Sequence, residues 1–369
     1  MGLLYSQLFV RLPYPTHDFT NQTIIVTGSN TGLGREAARH FARLNCAKLI
    51  LAVRNTAAGE VARKDILSTT KRSQDVVEVW PLDLSSYESI RAFAEKAKRE
   101  LKRVDVLMEN AGVALSKFDL SEGHERTVMV NVIGTFYLAL LMLPQLKASA
   151  QQFNNAPRIT IVSSEVHGFT KFEVRKERGI FAALDKKEFF GGDRYPESKL
   201  LEVLVMRELA PKLEGSGVVL NMLNPGLCHS ELSRDGPWFL EVMKFFLARS
   251  TEVGSRTLVA AAVAGEESHG RYMSDAKVDD RALSAFVRSE EGRETARRVW
   301  AELVGILEKV DEGVTKGLAS AKLAISSIDR ALARVLRSDF QVMFVAAAEE
   351  TVARYRPGAV RVGLRPRGL

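Results

Sequence analysis

Cysteine is scarce in this chain: Cys46 and Cys228 are the only two in 369 residues. They cannot build a disulfide framework, and so little cysteine in so long a chain fits a reducing compartment better than secretion. Long apolar runs are lacking as well. The opening "MGLLYSQLFV" is shorter than the roughly 20 apolar residues that cross a bilayer, no cleavable leader pattern follows it, and no other stretch reads as a span. Of the net charge of +7, ten Lys/Arg against four Asp/Glu fall in residues 313–369, so the first 312 residues are close to neutral. A near-neutral body excludes a dedicated polyanion binder, and nucleic acid is not an expected partner. The histidines and cysteines show no zinc spacing, so no metal is expected. No G-x-S-x-G elbow is present, which removes a serine-hydrolase reading.

What is present, from Gln22 onward, is alternation. Apolar runs at 23–28, 48–53, 76–80, 104–109, 158–164 and 217–223 read as strands. Helical patterns at 34–44, 57–68, 87–101, about 124–146 and around Tyr195 separate them. The runs are continuously apolar, as strands covered on both faces are. Strand–helix alternation at this spacing predicts a Rossmann-type α/β fold, a doubly wound parallel sheet in three layers. Ligands of such sheets bind at the carboxyl ends of the strands. Two segments break the rhythm there: a polar, basic insertion at 165–192, and 230–250, whose "PWFLEVMKFFL" suggests a cover over an apolar substrate or a membrane contact.

"TGSNTGLG" at 27–34 joins the first strand to the first helix, with Gly28, Gly32 and Gly34 among Asn30, Thr31 and Leu33. Glycine there permits a tight turn and close approach of backbone to a pyrophosphate, and the helix start offers free N–H groups. At the end of the second strand, where an NAD site places an acid for the ribose hydroxyls, the chain has Val53 and Arg54. A guanidinium pairs with a 2′-phosphate, so NADP(H) is expected over NAD(H).

Tyr195 and Lys199 stand four apart in a helical pattern, on one face. A phenol titrates near pH ~10, and a neighbouring ammonium is expected to lower that value toward neutrality. Ser164 ends the preceding strand pattern, where a hydroxyl can serve a carbonyl oxygen or cap a turn. Asn131 lies in an apolar helix and needs hydrogen-bond partners; it either holds a water beside Lys199 or ties two elements together. His167 and His229 near these loops read as solvated or packing residues.

Residues of about 20–312 resemble the short-chain dehydrogenase/reductase superfamily. The pieces that carry the likeness are "TGSNTGLG", "LDLSS", "ENAG", "NVIGTF", "IVSS", "YPESK" and "NPGLCHSEL". Within it the chain is most similar to retinol-dehydrogenase-like and WW-domain-oxidoreductase-like members, especially fungal ones, some of which serve secondary metabolism. The resemblance implies that Tyr195 is the general acid/base, that Lys199 tunes it and holds the nicotinamide ribose, that Ser164 orients the carbonyl, and that Asn131 relays protons. It implies that Asp83, with Leu84 beside it, contacts adenine, that Asn110, Ala111 and Gly112 line the adenosine ribose, that Pro225 and Gly226 form the turn along the nicotinamide, and that Ser230 lies near the carboxamide. Glu109 departs from the pattern, where an uncharged residue is usual, and a buried acid needs a partner.

The expected function is an NADP(H)-dependent oxidoreductase interconverting an alcohol and a ketone or aldehyde on an apolar small molecule. A carbon–carbon double-bond reductase, or a nucleotide-binding regulator with little turnover, are the alternatives. The expected division is an N-terminal segment at 1–20, the nucleotide-binding domain at 21–312, and a basic, partly helical tail at 313–369 with an apolar stripe over 318–335. The expected location is the cytoplasm. Gly2 with Ser6 matches an N-myristoylation pattern, and the tail stripe beside Arg330 and Arg334 suits an anionic membrane or a partner helix, so peripheral membrane contact stays open. Relatives often form dimers or tetramers, so a homo-oligomer is open too.

Overall fold

The computed structural model describes residues 3–229 and 248–318. Eight strands form one sheet in the order β10-β9-β8-β7-β4-β1-β2-β3. The six long members are β1 (Thr23–Thr27), β2 (Lys48–Val53), β3 (Val77–Pro81), β4 (Val106–Glu109), β7 (Arg158–Val162) and β8 (Val219–Asn224), all paired in parallel. β9 (Tyr272–Ser274) joins β8 in parallel, and β10 (Lys277–Val278) closes the edge antiparallel. A separate two-residue hairpin pairs β5 (Leu120–Ser121) with β6 (His124–Glu125).

Period-two geometry deals the apolar strand residues to two cores. Ile25, Ile50 and Ala52 face one core with α4 (Tyr87–Glu100), α6 (Thr135–Phe153), α8 (Arg194–Leu213) and the Glu290–Val310 helix. Ile24, Val26, Leu49 and Leu51 face the other with α2 (Gly32–Arg43), α3 (Thr56–Thr70) and the Thr251–Val263 helix. Each fully buried Ile or Leu there contributes about 2 kcal/mol of transfer free energy. The three-layer expectation therefore holds, with the strand order reversing between β1 and β4. That reversal opens a crevice at the carboxyl ends.

The helix expected near 124–146 is longer and irregular. It starts as α5 (Arg126–Val128), widens into a π-helical stretch at Met129–Gly134, and continues as α6. The Arg126–Phe153 run is long and apolar enough to cross a membrane, contrary to the reading of the sequence. Yet 89% of its apolar window is buried inside the protein, so it is a core helix. The 165–192 insertion is less polar in place than in sequence. Phe172, Ile180, Phe181 and Leu184 are buried, and α7 (Ile180–Leu184) starts on the carboxylate of Glu302, which accepts from Ile180 N and Phe181 N at 3.0 Å each. The N-terminal segment packs on the body through Leu12 and Phe19, and Lys147 Nζ donates to Gly317 O at 2.6 Å, so residues up to 318 lie against it as well. The rest of the 318–335 stripe, Ser230 and "PWFLEVMKFFL" lie outside the described residues.

Candidate active site

The β1–α2 turn is built to receive an anion. Helices α3 and α4 and the Thr251–Val263 and Glu290–Val310 helices each have an N-cap side chain on a free amide, from Asn55, Ser86, Ser250 and Ser289. Thr31 sits at the N-cap of α2 and makes no such bond. The first amides of α2, at Gly32, Leu33 and Gly34, thus have no side-chain cap, which a phosphate would supply. Gly32 has φ +60°, and a Cβ there would meet nothing, so this stretch of backbone faces open space. Gly34 does the opposite job: a Cβ would strike Asn110 Nδ2 and lie 2.6 Å from Gly28 O.

Asn110 locks this turn to the next. Its Nδ2 donates to Thr27 O (2.9 Å) and Gly28 O (3.2 Å), while Asn110 N and Ala111 N donate to Thr27 Oγ1 at 2.9 Å each. Asp83 Oδ1 is held by Ser85 N (2.9 Å) and Ser85 Oγ (2.7 Å). Leu84 is buried in the core with its carbonyl against Gly134, so only its backbone is left for a ligand. Asn30 is half-buried at the rim. Arg54 is exposed, with no ion-pair partner among the described residues, and no acid stands beside it. These residues fit a dinucleotide, with Arg54 free for an added phosphate. The buried Glu109 has one weak partner, Thr27 Oγ1 at 3.4 Å, and its Oε1 has none. Burial pushes its carboxyl well above the ordinary range.

The second half of the cleft is carried by β7 and α8. The expected strand 158–164 stops at Val162. Ser164 leaves the sheet and caps the following turn, with Val166 N donating to its Oγ at 3.4 Å, and its hydroxyl faces the Tyr195 phenol and favours the phenolate. Lys199 Nζ lies 5.7 Å from the centre of the Tyr195 ring and beside Gly112. It donates to Val162 O at 3.0 Å and to Glu202 Oε1 at 2.7 Å, which leaves one of its three N–H groups. Asn131 sits in the π-helical stretch, a distortion common at functional sites. Its Oδ1 accepts from Val113 N at 2.8 Å, and its Nδ2 donates to Val113 O and Ser198 Oγ at 2.9 Å each. Asn131 therefore ties the loop after β4 to α8.

Lys199 pulls the Tyr195 phenol down, as expected, but burial is the larger effect and Glu202 adds to it, so the phenol stands above its usual value. Lys199 is itself raised: burial works against its charge, and Glu202 and Tyr195 outweigh it. Burial pushes Glu202 up to about 7.

Several site residues escaped the reading of the sequence. Arg194 is 1% exposed and lies 3.5 Å from Glu125 and 3.2 Å from Glu197, joining the helix of Asn131 to that of Tyr195. His167 takes the packing alternative of its two readings: it is buried, and Ser284 N donates to its Nε2 at 3.1 Å, so Nδ1 carries the proton and donates to Ser164 O at 2.8 Å. Burial lowers its pKa, which keeps it neutral. Arg249 donates to Pro225 O (3.4 Å), Ser6 O (2.7 Å) and Asp275 Oδ1 (2.8 Å), pinning α1 (Leu3–Phe9) to the turn that contains Gly226. A Cβ on Gly226 would strike Gln7. His229 is exposed. The signal for Glu202 was its spacing, three residues beyond Lys199; nothing local marked Arg249 or Ser284.

Residues 22–174 match the family model of short chain dehydrogenases. Over 323 residues the chain is 50% identical to the short chain dehydrogenase/reductase dmxR8 of Cryptosporiopsis, covering 85% of this chain and 99% of that one. It is 42% identical over 325 residues to the short-chain dehydrogenase anuD of Penicillium roqueforti, covering 85% and 84%. The NADPH-bound carbonyl reductase from chicken fatty liver shares the fold, with a TM-score of 0.55 at 18% identity over 70% of this chain and 99% of that one. The chain belongs to the short-chain dehydrogenase/reductase family, oxidoreductases that use a nicotinamide coenzyme.

Proposed function

We propose that this protein is an NADP(H)-dependent oxidoreductase that interconverts an alcohol and a ketone or aldehyde on an apolar small molecule, with Tyr195 as the general acid/base. The observation that carries the reading is the convergence of the Tyr195 phenol, the Ser164 hydroxyl and the Lys199 ammonium beside Gly112, at the carboxyl end of β7. A nicotinamide coenzyme, when bound, supplies or accepts the hydride. The uncapped start of α2 would hold its phosphates, Arg54 its 2′-phosphate, Asp83 its adenine end, and the free N–H of Lys199 a ribose hydroxyl.

The chain's own residues do the rest. Ser164 and Tyr195 hydrogen-bond the substrate oxygen, and Tyr195 moves a proton to or from it. Donors already in place at a developing oxyanion need no reorganisation during the reaction. Lys199 stabilises the phenolate that proton donation leaves behind. Asn131 keeps the Val113 loop and α8 in register, so that Gly112 and Lys199 stay together. Cys46 and Cys228 are buried and unpaired, and a cytoplasmic location forms part of the proposal.

NADPH oxidation with a panel of apolar ketones, including conjugated enones, tests it. Tyr195→Phe should lower turnover by about 10²–10⁴-fold with NADPH affinity within about threefold. Equal rates in the two proteins would reject the role of Tyr195. Reduction of the enone double bond alone would reject the carbonyl reading, and NADPH binding without any turnover would point to a regulator.

A further inference from the structure

Tyr195, Lys199 and Glu202 lie at i, i+4 and i+7 on α8, a single helix face with the ammonium in the middle. Lys199 is 4% exposed and Glu202 is 2% exposed, so the 2.7 Å pair between them is shielded from water. Glu202 Oε1 bonds Lys199, while Oε2 is buried with no partner at full hydrogen-bond distance and the Ser163 side chain faces the carboxylate. A buried acid that completes only one side of its hydrogen bonding is costly to keep for packing alone.

We propose that Glu202 is a positioning residue: through this ion pair it holds the Lys199 ammonium against Val162 O and offsets the cation's pull on the Tyr195 phenol. This rests on the reading of Tyr195 as the acid/base. Glu202 keeps the phenol in the protonated form, the form that donates to a carbonyl oxygen. Four other elements face this trio. Ser163 and Ser164 come from the end of β7, and Glu165 from the turn that follows. Tyr272 comes from β9 with a buried hydroxyl that has no partner, and its ionisation is opposed by Glu165, Glu202 and Tyr195. Asn131, from the π-helical stretch, adds a neutral contact through Ser198 of α8. Among them, Lys199 is the cation and Glu202 the anion nearest to it.

The test does not need turnover. Phenolate absorbance is followed against pH in the coenzyme-free protein, and the Tyr195 signal is isolated by subtracting Tyr195→Phe. The same subtraction is then made in the Glu202→Gln background. The Tyr195 phenolate should appear at least about one pH unit lower once the carboxylate is gone, the size expected for one close charge in a partly screened interior. Glu202→Asp keeps the charge and should titrate within about 0.3 unit of the parent. Glu202→Asn replaces Glu202→Gln if the latter does not fold. An unchanged or raised titration in the neutral variant, or a shift as large in Glu202→Asp, overturns the proposal and leaves Glu202 a structural residue. With an active substrate in hand, the rising limb of the alcohol-oxidation profile should move the same way. A protein that shows the spectroscopic shift but turns nothing over keeps the Glu202 coupling and loses the enzyme reading, so the two failures are distinguishable.

Discussion

The two sides of the cleft are made of different material. On the β1–α2 side the ligand surface is backbone: the uncapped start of α2, the open space at Gly32 and the turn locked by Asn110. On the α8 side it is side chains, and the charged ones are buried: Lys199 with Glu202, and Arg194 between Glu125 and Glu197. A backbone surface tolerates sequence change wherever no Cβ intrudes. A surface of buried charges tolerates little, because each member leaves an uncompensated partner when removed.

The largest effect should come from the charged side. Arg194→Ala strands Glu125 and Glu197 and removes the bond from Arg194 to Phe189 O (3.0 Å), and should cost about 3–5 kcal/mol of stability in denaturant unfolding. Replacing the whole set, Arg194→Met with Glu125→Gln and Glu197→Gln, should recover part of that loss, since Glu125 also accepts from Thr127 N and Val128 N and a Gln offers one acceptor oxygen. A triple variant no better than the single would mean that packing around Arg194, rather than charge balance, governs this side. Gly34→Val probes the backbone side. Its side chain must displace Asn110 and Gly28 O, so stability should fall by about 1–3 kcal/mol, and NADPH affinity, read by fluorescence titration, by about tenfold or more as the first turn of α2 is pushed out of place. Unchanged affinity would show that this turn does not hold the phosphates.

The same contrast explains what could be read without coordinates. The backbone side follows from glycine spacing between a strand and a helix, and the turn lies between β1 and α2 as that spacing implies, although the helix starts at Gly32 rather than 34. Tyr195, Lys199 and Ser164 were legible too, because Ser164 follows the end of β7 and the other two share a face of α8. The buried acids and Arg194 were not. In sequence, Arg194, Glu197 and Glu202 look like the solvated face of an amphipathic helix; only the covering by β9, the Phe189–Phe190 turn and the β5–β6 hairpin hides them from water. The pull of Lys199 on the phenol is legible from the spacing, whereas the larger opposing effect of burial, with Glu202 added to it, is not, since a pair read in isolation omits both. Arg249 joins parts of the chain that are 243 and 26 residues away, a contact no local pattern announces.

Arg54 ranks next in expected effect and belongs to neither material, being an exposed side chain at the end of a backbone-built surface. Arg54→Ala should weaken NADPH binding by about 10–100-fold, the range of a charge-assisted bond, and leave NADH binding nearly unchanged. Equal losses for both would mean that the phosphate is recognised elsewhere.

The smallest effect tests the buried charges by pH. Burial pushes Glu197 up to about 7, although Arg194 works the other way and Asp193 and Glu125 add to the rise. In the unfolded chain the same carboxyl titrates near ~4.3. Between those values the folded state holds more protons than the unfolded one, so this group's contribution is fully present below pH ~4.5 and is lost as pH rises through about 7. Glu202, Glu109 and Glu165 act in the same direction and His167 and His40, lowered by burial, in the opposite one, so the parent profile alone mixes several groups. Glu197→Gln removes one of them and cannot ionise. Its Tm relative to the parent should therefore rise from pH 5 to pH 8, by about 2–4 °C for each kcal/mol. A difference that stays flat over that range would mean that Glu197 is ionised throughout and that Arg194 outweighs burial. The α8 side would then be a set of satisfied ion pairs rather than acids held partly protonated.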